Sequence, residues 1–269
     1  MGLRINTNIA SLTAQRNLHA VSARLLGNYS RLASGLRIAT AADDAAGLAI
    51  SERMRAKIRS YGAAGRNAQD GISLVQTAEG ALNEVSSQLG RLRELAIQSS
   101  NGTLTASDRA TLDQEFQQLK DELLRISDDT EFNGIKLLDS NGALGIQVSV
   151  NDGSQIPIDL VDLSSIIATL GDVSSDVNAI DELAAVDAAI ESVSAARAGF
   201  GATQNRLQSA FASIQNAREN LSAAESRIRD VDIASETADL TRNSILQQLA
   251  VSVLGQANSQ AQIVLSLIG

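Results

Sequence analysis

Residues 186–231 read VDAAIESVSAARAGFGATQNRLQSAFASIQNARENLSAAESRIRDV, and the spacing of their apolar side chains decides the fold. Val186, Val193, Phe200, Leu207, Ile214, Leu221 and Ile228 recur at every seventh position, and three residues after each stand Ala189, Ala196, Thr203, Ala210, Ala217, Ala224 and Val231. A seven-residue apolar repeat marks an α-helix that presents one seam to another helix, and a neighbouring row of small residues lets the partner approach closely. Residues 44–99 supply that partner. There Val75, Leu82, Leu89 and Ala96 form one seven-residue comb, Ala78, Val85 and Leu92 form a second, and Ile50, Met54 and Ile58 continue upstream at spacings of four. As a single helix this segment is roughly 80 Å long at about 1.5 Å per residue, which is the scale of a coiled coil.

The connection between the two rods is mixed. SSNGTLTASD (residues 99–108) breaks the first rod with Asn101 and Gly102, and Thr105 or Ser107 starts a shorter helix with the seam Leu112, Phe116, Leu119, Leu123, Ile126. From residue 131 to 162 the period falls to two. IQVSV, NDGSQ and IPIDL (residues 146–160) read as a β-hairpin that turns at residues 151–153, with Pro157 tolerable only on an edge.

Outward from the rods lie two amphipathic ends. At the amino end Ile5, Leu12, His19 and Leu26 form one seven-residue comb and Leu18, Leu25 and Leu32 another, which places His19 in a packed row rather than in a ligand set. Residues 33–43, with Gly35, read as a linker, and Asp43 and Asp44 as caps for the next helix. At the carboxyl end Leu246, Ala250, Val253, Ala257, Ala261, Val264 and Ile268 fall in one line, widened by Ile245, Leu249, Ile263 and Leu267. Gln and Ser interrupt it too often for a membrane span, which needs about 18 nearly uninterrupted apolar residues. If the rods are antiparallel, the two end helices emerge together and cover each other in part. Two isolated helices bury too little to be stable alone, so the remaining apolar surface is expected to meet copies of the same chain. The fold class is therefore mainly α: a long antiparallel coiled-coil rod, a small β-hairpin region, and terminal helices paired into an inner domain.

Composition excludes several functions. The 269 residues include no Cys, a single His, a single Pro and 2% aromatic residues, so thiolate chemistry and a His-rich metal site are ruled out. Net charge is −9, yet the first sixty residues carry nine Lys or Arg against three Asp or Glu, a local +6 that leaves −15 elsewhere. Those arginines stand singly without interleaved aromatics, which favours a solvated or inter-subunit face over nucleic acid. MGLRINTNIASL lacks the apolar core of a cleavable signal peptide, and Asn6 stands where a myristoylation motif needs Ser or Thr.

Enzyme signatures are equally sparse. GFGATQ (residues 199–204) lacks the third glycine and the preceding strand of a dinucleotide loop, and it lies inside the heptad helix. His19 has no nucleophile elbow near it, and Asp128, Asp129 and Glu131 lack the spacing of a calcium loop. NYS, NGT and NLS match the N-glycosylation pattern, which has meaning only in a eukaryotic secretory route. No catalytic, cofactor or metal site is expected.

RINTNIASLTAQRNL (residues 4–18), RLASGLRIATAADDAAGLAIS (31–51), LGRLRELAIQSSNGT (89–103), DTEFNGIKLL (129–138) and ILQQLAVSVLGQANSQAQIVLSLIG (245–269) resemble bacterial flagellin, in order and over nearly the whole chain. The resemblance implies a structural subunit that is exported unfolded by the flagellar type III apparatus, secreted, and assembled into the extracellular filament for swimming. It implies an inner domain from residues 1–43 and 232–269, whose helices are disordered in the monomer, and an outer helical rod from residues 44–231 with the hairpin region at 131–170. Only about twenty residues separate the hairpin from the heptad rod that begins at Val186, so no variable outer domain is expected there and the filament should be thin and smooth. Ile5, Leu12, Leu246, Val253, Val264 and Ile268 are implied to pack the inner tube. The implied partners are other copies of the chain, an export chaperone, the filament cap and hook-junction proteins. They also include the toll-like receptor of innate immunity, read through Arg91, an exposed Leu95 on the same face, and Glu115. A hook–filament junction protein resembles flagellin at its ends but matches DDAAGLAIS and LRELAIQS less well, and a secreted coiled-coil effector or adhesin would not need two apolar termini.

Overall fold

The computed structural model describes residues 7–151 and 153–266. Along the chain lie α1 (Ile9–Ser34), α2 (Ala45–Ser99), α3 (Ala106–Asp129), β1 (Glu131–Phe132), β2 (Ile135–Lys136), β3 (Ala143–Gln147), β4 (Gln155–Asp159), α4 (Leu163–Ala168), α5 (Asp176–Arg229) and α6 (Ile233–Ser266). They form two compact units, one spanning Lys57–Glu219 and the other combining the segments up to Ala56 and from Asn220.

The first unit is built on the heptads. Val75, Leu82, Leu89 and Ala96, with Ala78, Val85 and Leu92, are all fully buried in one core with Val186, Val193, Phe200 and Leu207 of α5. The helices run antiparallel, since the Gly71 Cα lies beside Leu207 and Arg93 reaches Asp187 at 2.6 Å. Phe116 and Leu123 bring α3 onto the same core, as the 4, 3, 4, 3 seam requires. Thr105 caps α3 in a capping box with Asp108, each satisfying a backbone N–H of the other.

The β region corrects the sequence reading in two places. The larger hairpin pairs Ala143 with Asp159 through Gln147 with Gln155, so its first strand is ALGIQ and Val148–Val150 belong to the loop, not to the strand. Ile156 and Ile158 of β4 point into the core, and that inward alternation fixes the register. A six-residue helix, α4, closes the region 131–170, which the sequence had shown only as a hairpin region. Asp162 caps it and Leu163 and Ile167 are buried. A second, two-residue hairpin joins β1 to β2 through Asn133 and Gly134, both at positive φ, the pairing that an Asn-Gly turn of mirror-image type requires.

In the second unit α1 and α6 lie side by side and antiparallel: Asn8 donates to the Ala257 carbonyl at 2.9 Å, Gln247 to Ser22 at 3.4 Å, and Asn243 to Asn28 at 3.0 Å. Gly35 ends α1 in the left-handed region, φ 72°, and its N–H bonds back to Arg31. The segment after it is strapped down. Arg37 N–H donates to the Arg229 carbonyl, Val231 N–H to that of Gly35, and Ile38 is buried against Gly47, where any Cβ would lie 2.7 Å from the Ile38 Cδ1. Of the two expected caps, Asp44 caps α2 through Gly47 N–H, whereas Asp43 closes the preceding turn on Ala39 and Thr40.

Candidate functional site

Two outward faces are candidates for interaction, and the first is the α1–α6 pair. Leu18, Leu25 and Leu32 turn toward α6, Leu25 fully and the other two in part. The other comb, Leu12, His19 and Leu26, faces away from it. Leu12 is 54% exposed and Leu26 70% exposed, and His19 is exposed rather than packed as the spacing had suggested. The two combs have the same period, so the choice between them falls to the polar residues. On the Leu25 side Asn28 and Arg31 find buried partners.

Those partners are on α6. Glu236 accepts from Asn28 at 2.7 Å and from Arg31 at 2.8 Å, and Asn28 in turn accepts from Asn243. Asn28 and Glu236 are both buried. The inward face of α6 thus carries Glu236, Asn243, Gln247, Ala250 and Ala257, with Leu240 and Leu254 half-buried beside them, and several of its other bulky apolar residues lie on the outside. Ile245, Leu249, Val251 and Val253 are each more than half exposed, and Leu246 is 39% exposed. The expected single apolar line is therefore split: Ala250 and Ala257 turn in, Leu246 and Val253 turn out. Ile5 and Ile268 lie outside the described residues, as does the side chain of Val264. From residue 243 to 269 no ionisable side chain occurs, and among the described residues no helix is long and apolar enough to cross a membrane.

The second face is on α2 and α3. Arg91 donates twice to Glu115, at 2.9 and 2.7 Å, and once to Glu94 at 3.0 Å. These bonds, to Glu115 first, hold the guanidinium even more firmly charged than usual. Leu95 does not share this face. It is fully buried in the core, because it lies one turn from Leu92 and from Ser99 on the row that faces α5 and the 173 loop, so its expected exposure is corrected.

One further group escaped the sequence reading. Glu182 of α5 is buried, one carboxylate oxygen accepting Gly171 N–H at 2.8 Å while the other has no partner. Burial pushes its pKa up, partly opposed by that hydrogen bond and by Lys120. Lys120 and Gln117 donate to the carbonyls of Leu170 and Gly171, and Asp113 accepts Val173 N–H, so this loop is held by side chains of α3 and α5. The signal that could have found it is the heptad: Glu182 stands seven residues before Ala189, one repeat upstream on the small-residue seam.

Comparison with known proteins identifies the family. Residues 5–143 match the family model of the bacterial flagellin N-terminal helical region, and residues 183–268 match that of the bacterial flagellin C-terminal helical region. The chain is 50% identical to a flagellin of Halalkalibacterium halodurans, covering 98% of this chain and 99% of that one. To a flagellin of Bacillus subtilis it is 43% identical, over 99% and 100%. A crystal structure of Bacillus cereus flagellin superposes with a TM-score of 0.53 at 36% identity, over 60% of this chain and 94% of that one.

Proposed function

This chain belongs to the bacterial flagellin family and is a structural subunit of the flagellar filament, and from that premise we propose that it polymerises through the outward apolar rows of its terminal helices. In this reading residues 1–43 and 232–269 form the inner domain, residues 44–231 form the outer rod with its hairpin region at 131–170, and no variable outer domain is inserted. Leu12, Leu246 and Val253 pack the inner tube, joined by Ile5, Val264 and Ile268.

The observation that carries the reading is the apolar surplus on the outside of the α1–α6 pair: Glu236 and Asn28 are buried inside it while Leu26, Leu249 and Val253 are exposed. A surface helix of a self-sufficient domain does the reverse. Apolar side chains left in rows at this density mark a protein–protein interface. Removing residues 245–269 tests it. The rod should keep its helical signal and its unfolding transition, because its heptads all lie upstream of residue 245, while no sedimentable filament forms on added seeds. Normal filaments from the truncated chain would refute the reading.

Export follows from the same weakness. The subunit leaves the cell unfolded through the flagellar type III apparatus, in the care of an export chaperone, and is added under the filament cap above the hook-junction proteins. A helix pair that buries few apolar side chains comes apart readily, as passage through a narrow conduit requires.

The exposed Arg91–Glu115 pair supports a second partner, the toll-like receptor for flagellin. Arginine is a common anchor of binding interfaces. Arg91 and Glu115 are the residues that touch the receptor in this reading, and Leu95 supports them from within the core.

A further inference from the structure

We propose that Asn28, Arg31, Glu236 and Asn243 form a register lock, a buried polar network that selects one longitudinal alignment of α1 on α6 and thereby the arrangement of apolar rows offered to the next subunit. This rests on the reading that the two helices stay paired in the filament.

The apolar pattern alone cannot make that selection. Leu18, Leu25 and Leu32 repeat every seven residues on α1, and on α6 Leu240, Gln247 and Leu254, beside Ala250 and Ala257, repeat at the same interval. All of these face the partner at least in part. Sliding one helix past the other by seven residues therefore restores nearly the same apolar contacts, as in any uniform heptad seam.

The polar network is not periodic. In the observed alignment Glu236 sits opposite Asn28 and accepts from both Asn28 and Arg31, and Asn243 closes the chain of bonds on the Asn28 oxygen. A slip of seven residues in one direction carries Glu236 opposite Val21, leaving a carboxylate against an apolar side chain and Arg31 without its partner. In the other direction Glu236 faces Gly35, past the end of α1, and Asn28 meets Asn243 and Ala250 instead. Either slip breaks the hydrogen bonds of a buried charge, the most costly loss available in so small an interface. A single buried polar residue that fixes the register of a coiled coil at some cost in stability works by the same means. The lock also explains why polar residues stand in the seam among the leucines: apolar substitution of Asn28 and Glu236 would strengthen the pair but let it slide.

The absence of Cys from the chain makes the alignment directly measurable. In filaments of the full-length protein, Ser22→Cys with Gln247→Cys reports the observed register, since those side chains lie 3.4 Å apart. Ser22→Cys with Leu254→Cys, or with Leu240→Cys, reports a slip of one heptad, displaced about 10 Å along the helix. Intrachain yield with a short thiol crosslinker is read for each pair, first in the otherwise unaltered chain and then with Asn28→Leu and Glu236→Leu added. The unaltered chain should crosslink only in the observed register, and the leucine variant should raise the ratio of slipped to in-register product at least about tenfold. An unchanged ratio overturns the lock. If the unaltered chain gives no in-register intrachain product at all, the pairing itself is wrong and the lock falls with it, which separates the two failures. Should the leucine variant not polymerise, Glu236→Gln is read instead, because it keeps the size of the side chain but removes the charge that Arg31 meets. Its slipped product must then exceed that of the unaltered chain, and equality refutes the proposal.

Discussion

Truncating the outward row of α6 should weaken polymerisation without touching the fold of the subunit. Leu249 is 55% exposed and Val253 58% exposed, so about half of the transfer free energy of each side chain remains to be gained on assembly. Leu249→Ala removes Cγ, Cδ1 and Cδ2, and Val253→Ala removes Cγ1 and Cγ2. At about 0.8 kcal/mol per buried carbon, scaled by the half still exposed, the double variant loses about 2 kcal/mol per subunit added. A loss of that size raises the critical concentration about 30-fold. The assay is sedimentation of filaments grown on seeds over a series of subunit concentrations, the intercept giving the soluble concentration at equilibrium. Thermal unfolding of the monomeric rod serves as the control and should not move, because neither residue lies in the unit spanning Lys57–Glu219. A critical concentration within about threefold of the parent would mean that these side chains remain in water in the filament, and the outward row would not be the assembly surface.

Four other outcomes are expected. Gly90→Ala should stabilise the rod by about 0.5–1 kcal/mol in a denaturant titration, because nothing lies within 4 Å of the added methyl and glycine is a poor helix former. Phe116→Ala should cost about 3–5 kcal/mol in the same titration, since the ring is fully buried and its removal leaves a cavity. For Glu182 the folded pKa is raised above the ordinary value of 4.5. Its contribution to stability is therefore complete below that value and is lost as pH rises through the folded pKa; Glu182→Gln should be more stable relative to the parent at pH 7 than at pH 4, and a difference independent of pH refutes the assignment. In a receptor reporter assay with monomers, Arg91→Ala and Glu115→Ala should lose signalling while keeping full helicity, and equal signalling by both variants and the parent excludes that partner.

The rods were legible because seven-residue periodicity over many turns leaves no competing interpretation: every member of the two α2 combs is buried where the spacing put it. Leu95 was legible too, since it lies three residues after Leu92 and four before Ser99, both on the core row, but its place beside Arg91 in the sequence drew it toward the surface. The hairpin register was not legible. Val148, Ser149 and Val150 alternate as well as Ala143–Gln147 do, and only the match of Ile156 and Ile158 to the core decides between them. The six residues of α4 are too few to show a period. At the α1–α6 seam two equal combs competed, and burial of Asn28 with Glu236, a pairing more than two hundred residues apart in sequence, settled which one faced inward.

With the assembly surface proposed above, the charge-free run from residue 243 onward would set how filament growth responds to its surroundings. An interface made by such a surface has no ion pairs for salt to screen, so adding electrolyte, which weakens exposed charge pairs within a Debye length of about 8 Å, leaves it intact. Apolar burial instead carries a negative heat-capacity change and weakens on cooling. Chilling, rather than brine, is the treatment to which this part of the polymer is most sensitive, and subunits that hold together through a change of salinity should loosen near freezing.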